Sequence, residues 1–311
     1  MKKYNRSKRW KWSQFSANDM ERIKPLLLQD GSEWLKKVRD NRSNYLRVKA
    51  PENGEKVVYG SLIYQQSFED DQDYKIFHFY VTEDQWITVD LALTTFKHIN
   101  LEFLVRQINR TEHAVDGFFI FLGELMNEML VEIDQFEVEL KTLIWSIRNR
   151  NETGILEKVY RRRHELLVWK SLLIPIRELK MGIEEADFEE VSRGEIFTRT
   201  CRRIERAVVL LNEYEHEIDS IINLEEVISS HRGNEIMKTL TVITIIFTPI
   251  MAYGALWGMN FKYMPELGWR HGYLFAFILV ILTTLLLYGY LKVKGWTGDL
   301  LKGKKRGSFF K

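Results

Sequence analysis

At 311 residues the chain is long enough for about two domains, and its 28 % of charged residues coexist with two long uncharged runs, which excludes both a wholly water-soluble protein and a bare set of membrane spans. A formal net charge of +2 supplies no broad basic field of the kind that marks nucleic acid as a partner. The single cysteine, Cys201, allows no intrachain disulfide and fits a reducing compartment.

Residues 1–20 read as a basic, polar N-terminal tail. Lys2, Lys3, Arg6, Lys8 and Arg9 run into Trp10-Lys11-Trp12 without the apolar stretch of a secretory signal. A disordered terminus is the expectation, ahead of one whose Trp10 and Trp12 touch anionic lipid or nucleic acid. Residues 21–192 read as a cytosolic α/β domain with a helical hairpin. Four runs rich in β-branched and aromatic residues, Tyr45–Val48, Lys56–Tyr64, Tyr74–Val81 and Trp86–Val89, are separated by turn formers such as Pro51-Glu52-Asn53-Gly54. They predict a small, mostly antiparallel sheet. His78 is expected at the surface or a sheet edge, since no second ligand stands at metal spacing.

From Val115 to Met129 the chain is apolar, yet Asp116, Glu124 and Glu128 interrupt it, so it reads as a buried helix of the soluble part and not as a span. Apolar residues then recur three and four apart from Leu130 to about Ile147 and from Glu152 to about Ile183, and Asn149–Gly154 breaks the two into an antiparallel hairpin. Arg161-Arg162-Arg163-His164 is a solvated basic patch on this reading. Gly182 to Gly194 is an acidic connection. Glu184, Glu185, Asp187, Glu189 and Glu190 there are weak candidates for a hard cation, without calcium-loop spacing, and a solvated turn is preferred.

Helical periodicity resumes near Glu195 and meets no strong breaker before Gly233, giving a stalk over 193–238. Residues 239–257 follow without a charge, and 273–291 form a second uncharged run; each is long enough to cross a bilayer, which takes ~20 residues. Stalk and first span together make one helix of about 60 residues and about 90 Å. Such a helix needs neighbours, which a bundle of identical subunits supplies.

Residues 258–272 form the loop between the spans, and 292–311 a basic tail with Lys292, Lys294, Lys302, Lys304, Lys305, Arg306 and Lys311 against Asp299. The positive-inside rule therefore puts the C-terminus in the cytoplasm, and two spans return the N-terminus to the same side. At 100° per residue, Asn234, Met237, Leu240, Thr241, Thr244, Thr248, Met251 and Ala255 fall within about 60° of one line. This stripe of small polar and Met side chains fits a pore-lining face and ordinary helix packing equally well. Pro249 removes one helical N–H and frees the Ile245 carbonyl.

Gly258-Met259-Asn260-Phe261, continuing into Tyr263-Met264-Pro265-Glu266-Leu267 between two terminal spans, resembles the signature loop of the CorA-type magnesium transporters. The likeness extends upstream through Asn234-Glu235-Ile236-Met237-Lys238-Thr239-Leu240-Thr241 and covers about half the chain. It implies an α+β cytosolic domain followed by a long stalk helix and two C-terminal spans, in a homopentamer in the cell (plasma or inner) membrane. It also implies passive, potential-driven uptake of Mg2+, with Co2+ and Ni2+ as further cargo and Mg2+ as a candidate regulator. A zinc transporter of the same superfamily and a non-conducting membrane scaffold are the rivals.

On that likeness Asn234, Met237, Leu240 and Thr248 correspond to pore positions, with Met237 and Leu240 as a hydrophobic constriction. Gly258, Met259 and Asn260 form the selectivity filter, where a ring of Asn260 amides grips hydrated Mg2+. Gly258 permits the tight turn, Met259 packs, and Glu266 is the one acid that draws cations to the outer mouth. Trp257 stands where relatives have tyrosine, Thr248 where many have a larger apolar residue, and Ile245 where a polar one is common. A larger departure lies on the early stalk. The family holds carboxylates there that bind regulatory Mg2+, whereas this chain reads Phe197-Thr198-Arg199-Thr200-Cys201-Arg202-Arg203, which is basic. No nucleophile–base pair, phosphate-cradling loop, paired-cysteine site or His-Glu-x-x-His is present, so no enzyme is expected.

Overall fold

The computed structural model describes residues 2–3, 10–27, 31–51, 54–149, 153–186, 188, 194–260 and 262–296. In chain order the elements are β1 (Lys2–Lys3), β2 (Lys11–Phe15), α1 (Met20–Ile23), α2 (Gly31–Asp40), β3 (Tyr45–Lys49), β4 (Val57–Gln66), β5 (Tyr74–Val81), β6 (Gln85–Val89), α3 (Leu101–Ile108), α4 (Ala114–Asn149), α5 (Thr153–Glu185), α6 (Glu195–Trp257) and α7 (Gly272–Val293). They fall into two units, Met1–Ser220 and Ile221–Lys311, and α6 contributes to both.

The four strands read from β-branched and aromatic residues are β3 to β6, paired antiparallel in succession with a bulge between Ile63 and Gln65. The sheet is larger than expected. β2 pairs parallel with β6 and β1 antiparallel with β2, so the order is β1-β2-β6-β5-β4-β3.

The first 20 residues are therefore no polar tail in the part described here. Lys11 is exposed, but Trp10 and Trp12 on either side of it are 1 % and 0 % exposed, and Ser13 and Phe15 beyond them are buried as well, so both faces of the strand are covered. The Trp12 ring stacks on Trp86 at 4.2 Å and its Nε1–H donates to the Thr88 hydroxyl at 3.2 Å. Trp10 donates to the Thr111 carbonyl at 3.0 Å and lies over Gly117, where an added Cβ would stand 2.6 Å from the indole. Two buried indoles, each worth several kcal/mol, outweigh the basic composition on which the tail reading rested. Residues 4–9 and 297–311 of the two expected tails lie outside the described residues.

Helices cover both sheet faces. Trp34 and Val38 of α2 join Phe15, Tyr59, Tyr80, Ile87 and Val89 on one side. On the other, Phe118 and Phe121 of α4 meet Trp86, Phe77 and Phe79. His78 is consequently buried, not at the surface, and its Nδ1 lies 2.5 Å from the Ser61 hydroxyl on the paired strand. Burial lowers its pKa below the ordinary histidine value, with Asp90 acting weakly the other way.

The apolar run at 115–129 is a buried part of α4, as expected, and α4 continues unbroken to Asn149. In this first unit α4 and α6 run parallel, joined by Phe119 with Phe197, Gly123 with Arg203 and Phe136 with Tyr214. Antiparallel to both runs α5, through Arg162 with Glu139, Lys170 with Glu215 and Arg163 with Asp219. The basic run 161–164 lies at the surface, as read from the sequence, with Arg162 and Arg163 held there in ion pairs. Arg162 also pairs with Glu165, and the His164 ring nitrogen sits 3.1 Å from the Phe68 carbonyl oxygen. The stalk and first span form the single helix α6 of 63 residues, in line with the sequence, and Gly233 does not interrupt it.

Candidate functional site

The apolar part of α6 and all of α7 are long and apolar enough to cross a membrane. Along residues 239–257 of α6 the buried positions are Val242 and Pro249, seven residues apart. The stripe lies elsewhere on the helix: Asn234, Met237, Leu240, Thr244, Thr248, Met251 and Ala255 are exposed and Thr241 half-buried. Met237, Leu240 and Met251 are 60 %, 56 % and 60 % exposed, so large apolar side chains stand out from the chain along the same line as the threonines.

Each threonine on that line is fixed by its own helix. The hydroxyls of Thr241, Thr244 and Thr248 donate to the carbonyls of Met237, Leu240 and Thr244 at 2.8, 2.9 and 2.7 Å. Such back-bonding satisfies a hydroxyl where no water competes and leaves its oxygen pointing away from the helix. Thr239, off the line, does the same to the Glu235 carbonyl at 2.9 Å.

At its C-terminal end α6 stops at Trp257, and the Gly258 and Met259 N–H groups donate back to Gly254 and Leu256 at 2.9 and 3.4 Å. A Cβ on Gly258 would stand 2.8 Å from the Gly254 carbonyl oxygen, so the turn into Asn260 accepts only glycine without a backbone shift. Asn260 follows exposed and outside any helix, its amide making no hydrogen bond among the described residues. Glu266 falls in the short 3-10 helix Pro265–Gly268. Trp257, Trp269, Arg270 and Tyr273 rim an apolar groove of about 900 Å3 between the C-terminal part of α6 and the N-terminal part of α7.

At the Asn234 end of the stripe the sequence reading missed Trp296. Helix α7 closes with Gly295 at φ 74°, the Gly295 and Trp296 N–H groups donating to Lys292 and Leu291 at 3.0 Å, which is a glycine-capped end. Gly295 directly after Lys292-Val293-Lys294 was the available signal. The cap brings Trp296 to a cleft of about 250 Å3 with His231, Asn234, Glu235, Met237, Lys238 and Thr241, so the start of the stripe at Asn234 is walled on one side. His231 Nδ1 lies 3.7 Å from Glu235 there.

Of the acidic candidates, Asp187, Glu189 and Glu190 lie outside the described residues. Glu184 and Glu185 belong to the last turn of α5 and not to a loop, because the helix runs on past Gly182, whose missing side chain admits Leu46 and Val48. Glu184 lies 3.7 Å from the Lys180 ammonium. No group of three or more His, Cys, Asp or Glu able to hold a metal occurs among the described residues. Where carboxylates were looked for on the early stalk, Arg203 donates to the Gly123 carbonyl at 2.6 Å and meets Glu124 at 3.2 Å, and Thr200 donates to the Phe119 carbonyl at 3.1 Å. Burial pushes the neighbouring Cys201 thiol up to about 11, so it stays protonated.

The family model described as CorA-like Mg2+ transporter protein matches residues 7–293. The chain belongs to the CorA-like Mg2+ transporter family. This CorA-family chain is 39 % identical over 308 residues to the magnesium transport protein CorA of Bacillus subtilis, covering 98 % of its own length and 96 % of the relative's. It is 24 % identical over 206 residues, 61 % of its length and 55 % of the relative's, to the cobalt/magnesium transport protein CorA of Thermotoga maritima. The fold is that of the complete CorA magnesium transporter structure from Methanocaldococcus jannaschii, with a TM-score of 0.63 over 93 % of this chain and 92 % of that one, at 17 % identity. The expected architecture, an α+β domain followed by a long helix and a C-terminal apolar helix, is therefore the observed one. Like its family, the chain is a transporter and not an enzyme.

Proposed function

We propose that several copies of this chain, five on the family pattern, surround one axis in the cell membrane and conduct Mg2+ passively. Residues 239–257 and 273–291 are the spans, 193–238 the stalk and 258–272 the outer loop, with both termini in the cytoplasm. The observation that carries this reading is the exposed line from Asn234 to Ala255 on a helix that bears no charge over 239–257, which ends at the Gly258 turn into Asn260. Small polar and Met side chains left uncovered by their own chain in a lipid environment call for protein or water opposite them. Copies arranged about an axis provide both.

In this arrangement the Asn260 amides form the outer ring and hold Mg2+ through its hydration shell, which that ion gives up reluctantly. Gly258 makes the turn, Met259 packs behind it, and Glu266 adds negative charge at the mouth. Asn234 and the threonines 241, 244 and 248 pass the hydrated ion along, while Met237 and Leu240, both more than half exposed, close the path by excluding water when they converge. Membrane potential supplies about 4.6 kcal/mol per 100 mV for each doubly charged ion that enters, from about 2.3 per unit charge. Co2+ and Ni2+, similar in charge and hydration, are expected as weaker cargo. No regulatory ion is assigned to residues 184–190, because the described members face Lys180 or solvent.

The test is ion uptake into liposomes carrying the purified protein under an inside-negative potential. Mg2+ flux that collapses in Asn260→Ala supports the outer ring, and flux that survives unchanged refutes it. Zn2+ uptake in place of Mg2+ would favour the zinc-transporter reading. A stable oligomer without flux would leave only a scaffold.

A further inference from the structure

The packed helices of the first unit carry apolar side chains that their own chain leaves exposed. On α5 Tyr160, Leu167, Ile174 and Met181, each seven residues after the last, are 51 %, 50 %, 60 % and 56 % exposed. They form one line about 31 Å long at ~1.5 Å per residue. On α4 Val131, Val138 and Trp145 repeat the same spacing at 37 %, 65 % and 61 % exposure. Single exposed apolar residues are ordinary on a protein surface. Two lines at a seven-residue period on adjacent helices are the pattern of helix–helix seams.

We propose that these lines are the lateral contact between neighbouring copies, the α4 line of one packing against the α5 line of the next. The proposal rests on the oligomeric reading above and adds the surface that closes the ring. Direction is the first argument. Helix α4 is parallel to the stalk helix α6, and α5 is antiparallel to both. Copies related by rotation about an axis along the stalk therefore present α4 and the next α5 side by side and antiparallel.

Height is the second. The Arg162 to Glu139 pair sets those two positions level. Counting along the antiparallel helices, Leu167 is level with about Asp134, midway between Val131 and Val138, and Tyr160 with about Lys141, midway between Val138 and Trp145. Rotation about the axis preserves height, so the two lines meet half a heptad out of step, which is how knobs enter holes. Because the two surfaces differ, the contact is heterologous and repeats around a ring.

The test uses the full chain in membranes, with Cys201→Ser to remove the native thiol and a bifunctional maleimide as cross-linker. Val138→Cys combined with Leu167→Cys should convert most of the monomer band into a ladder of covalent multimers. Val131→Cys with Leu167→Cys should do the same, and neither the single variants nor Val138→Cys with Arg199→Cys should. Native mass measurement of the same samples separates the levels of the argument. An intact oligomer without a ladder, or dimers formed by Leu167→Cys alone, overturns the lateral contact and leaves the channel reading standing. A monomer by mass removes the reading beneath it.

Discussion

Replacing Trp12 with alanine tests whether the N-terminal strand is part of the fold. The indole is 0 % exposed, stacks on Trp86 at 4.2 Å and donates to Thr88 at 3.2 Å. A buried tryptophan removes about 200 Å2 from water, worth about 5 kcal/mol at ~25 cal/mol per Å2, and measured truncations of buried aromatic residues fall at about 3–5 kcal/mol. Loss of the donor adds about 1 kcal/mol of destabilisation through the unpartnered Thr88 oxygen. About 4 kcal/mol in a unit of this size lowers the melting temperature by roughly 8–16 °C. Trp12→Phe keeps the stacking and should lose less than half as much. The measurement is thermal unfolding of the detergent-solubilised protein at matched scan rate, followed by far-ultraviolet circular dichroism. A melting temperature within two degrees or so of wild type for Trp12→Ala would show that the strand contributes nothing, and the buried-indole argument would fail.

Leu240→Ala should leak, giving Mg2+ uptake into liposomes under conditions where the wild type is shut; a variant that closes normally places the constriction elsewhere on the stripe. Stability should fall with acid through His78. Its folded pKa is depressed, so the unfolded chain takes up a proton near pH 6.5 that the folded chain refuses, and stability present above that pH is lost progressively below it. His78→Gln should flatten this part of the unfolding profile between pH 7.5 and 5, and an unchanged slope would assign it to other groups. Glu128 accepts from the Lys97 and His98 N–H groups at 2.7 and 2.9 Å, so Glu128→Ala should cost about 2 kcal/mol in chemical denaturation, and Glu128→Gln less.

How far the sequence could be read followed the kind of signal each segment carries. The four central strands and the long helices were legible because their pattern is local: β-branched runs between turn formers, and apolar residues three and four apart. Strand β2 was not, because five residues with two lysines nearby look solvated until Trp86 and Thr88, more than 70 positions away, provide the other half of the contact. His78 was misplaced for a related reason. A strand covered by helices on both faces loses the alternation that would have marked one face as buried. The acidic connection was misjudged because Gly182, a helix breaker by propensity, serves here as a notch for Leu46 and Val48, so α5 runs on to Glu185. Within the site, the stripe and the Gly258 turn were legible from periodicity and motif. Trp296 was not, since its place depends on the chain reversing at Gly295.

The threonine hydroxyls of α6 decide more than helix geometry. With the hydrogens of Thr241, Thr244 and Thr248 committed to carbonyls one turn back, only lone pairs remain for whatever travels past. Water around a cation points its hydrogens outward and finds acceptors there, whereas an anion meets no hydroxyl donor unless a threonine first gives up its bond to the helix. In the proposed conduit, a preference for positive charge thus arises from backbone bonds within one helix, without a charged side chain on that face between Met237 and Ala255.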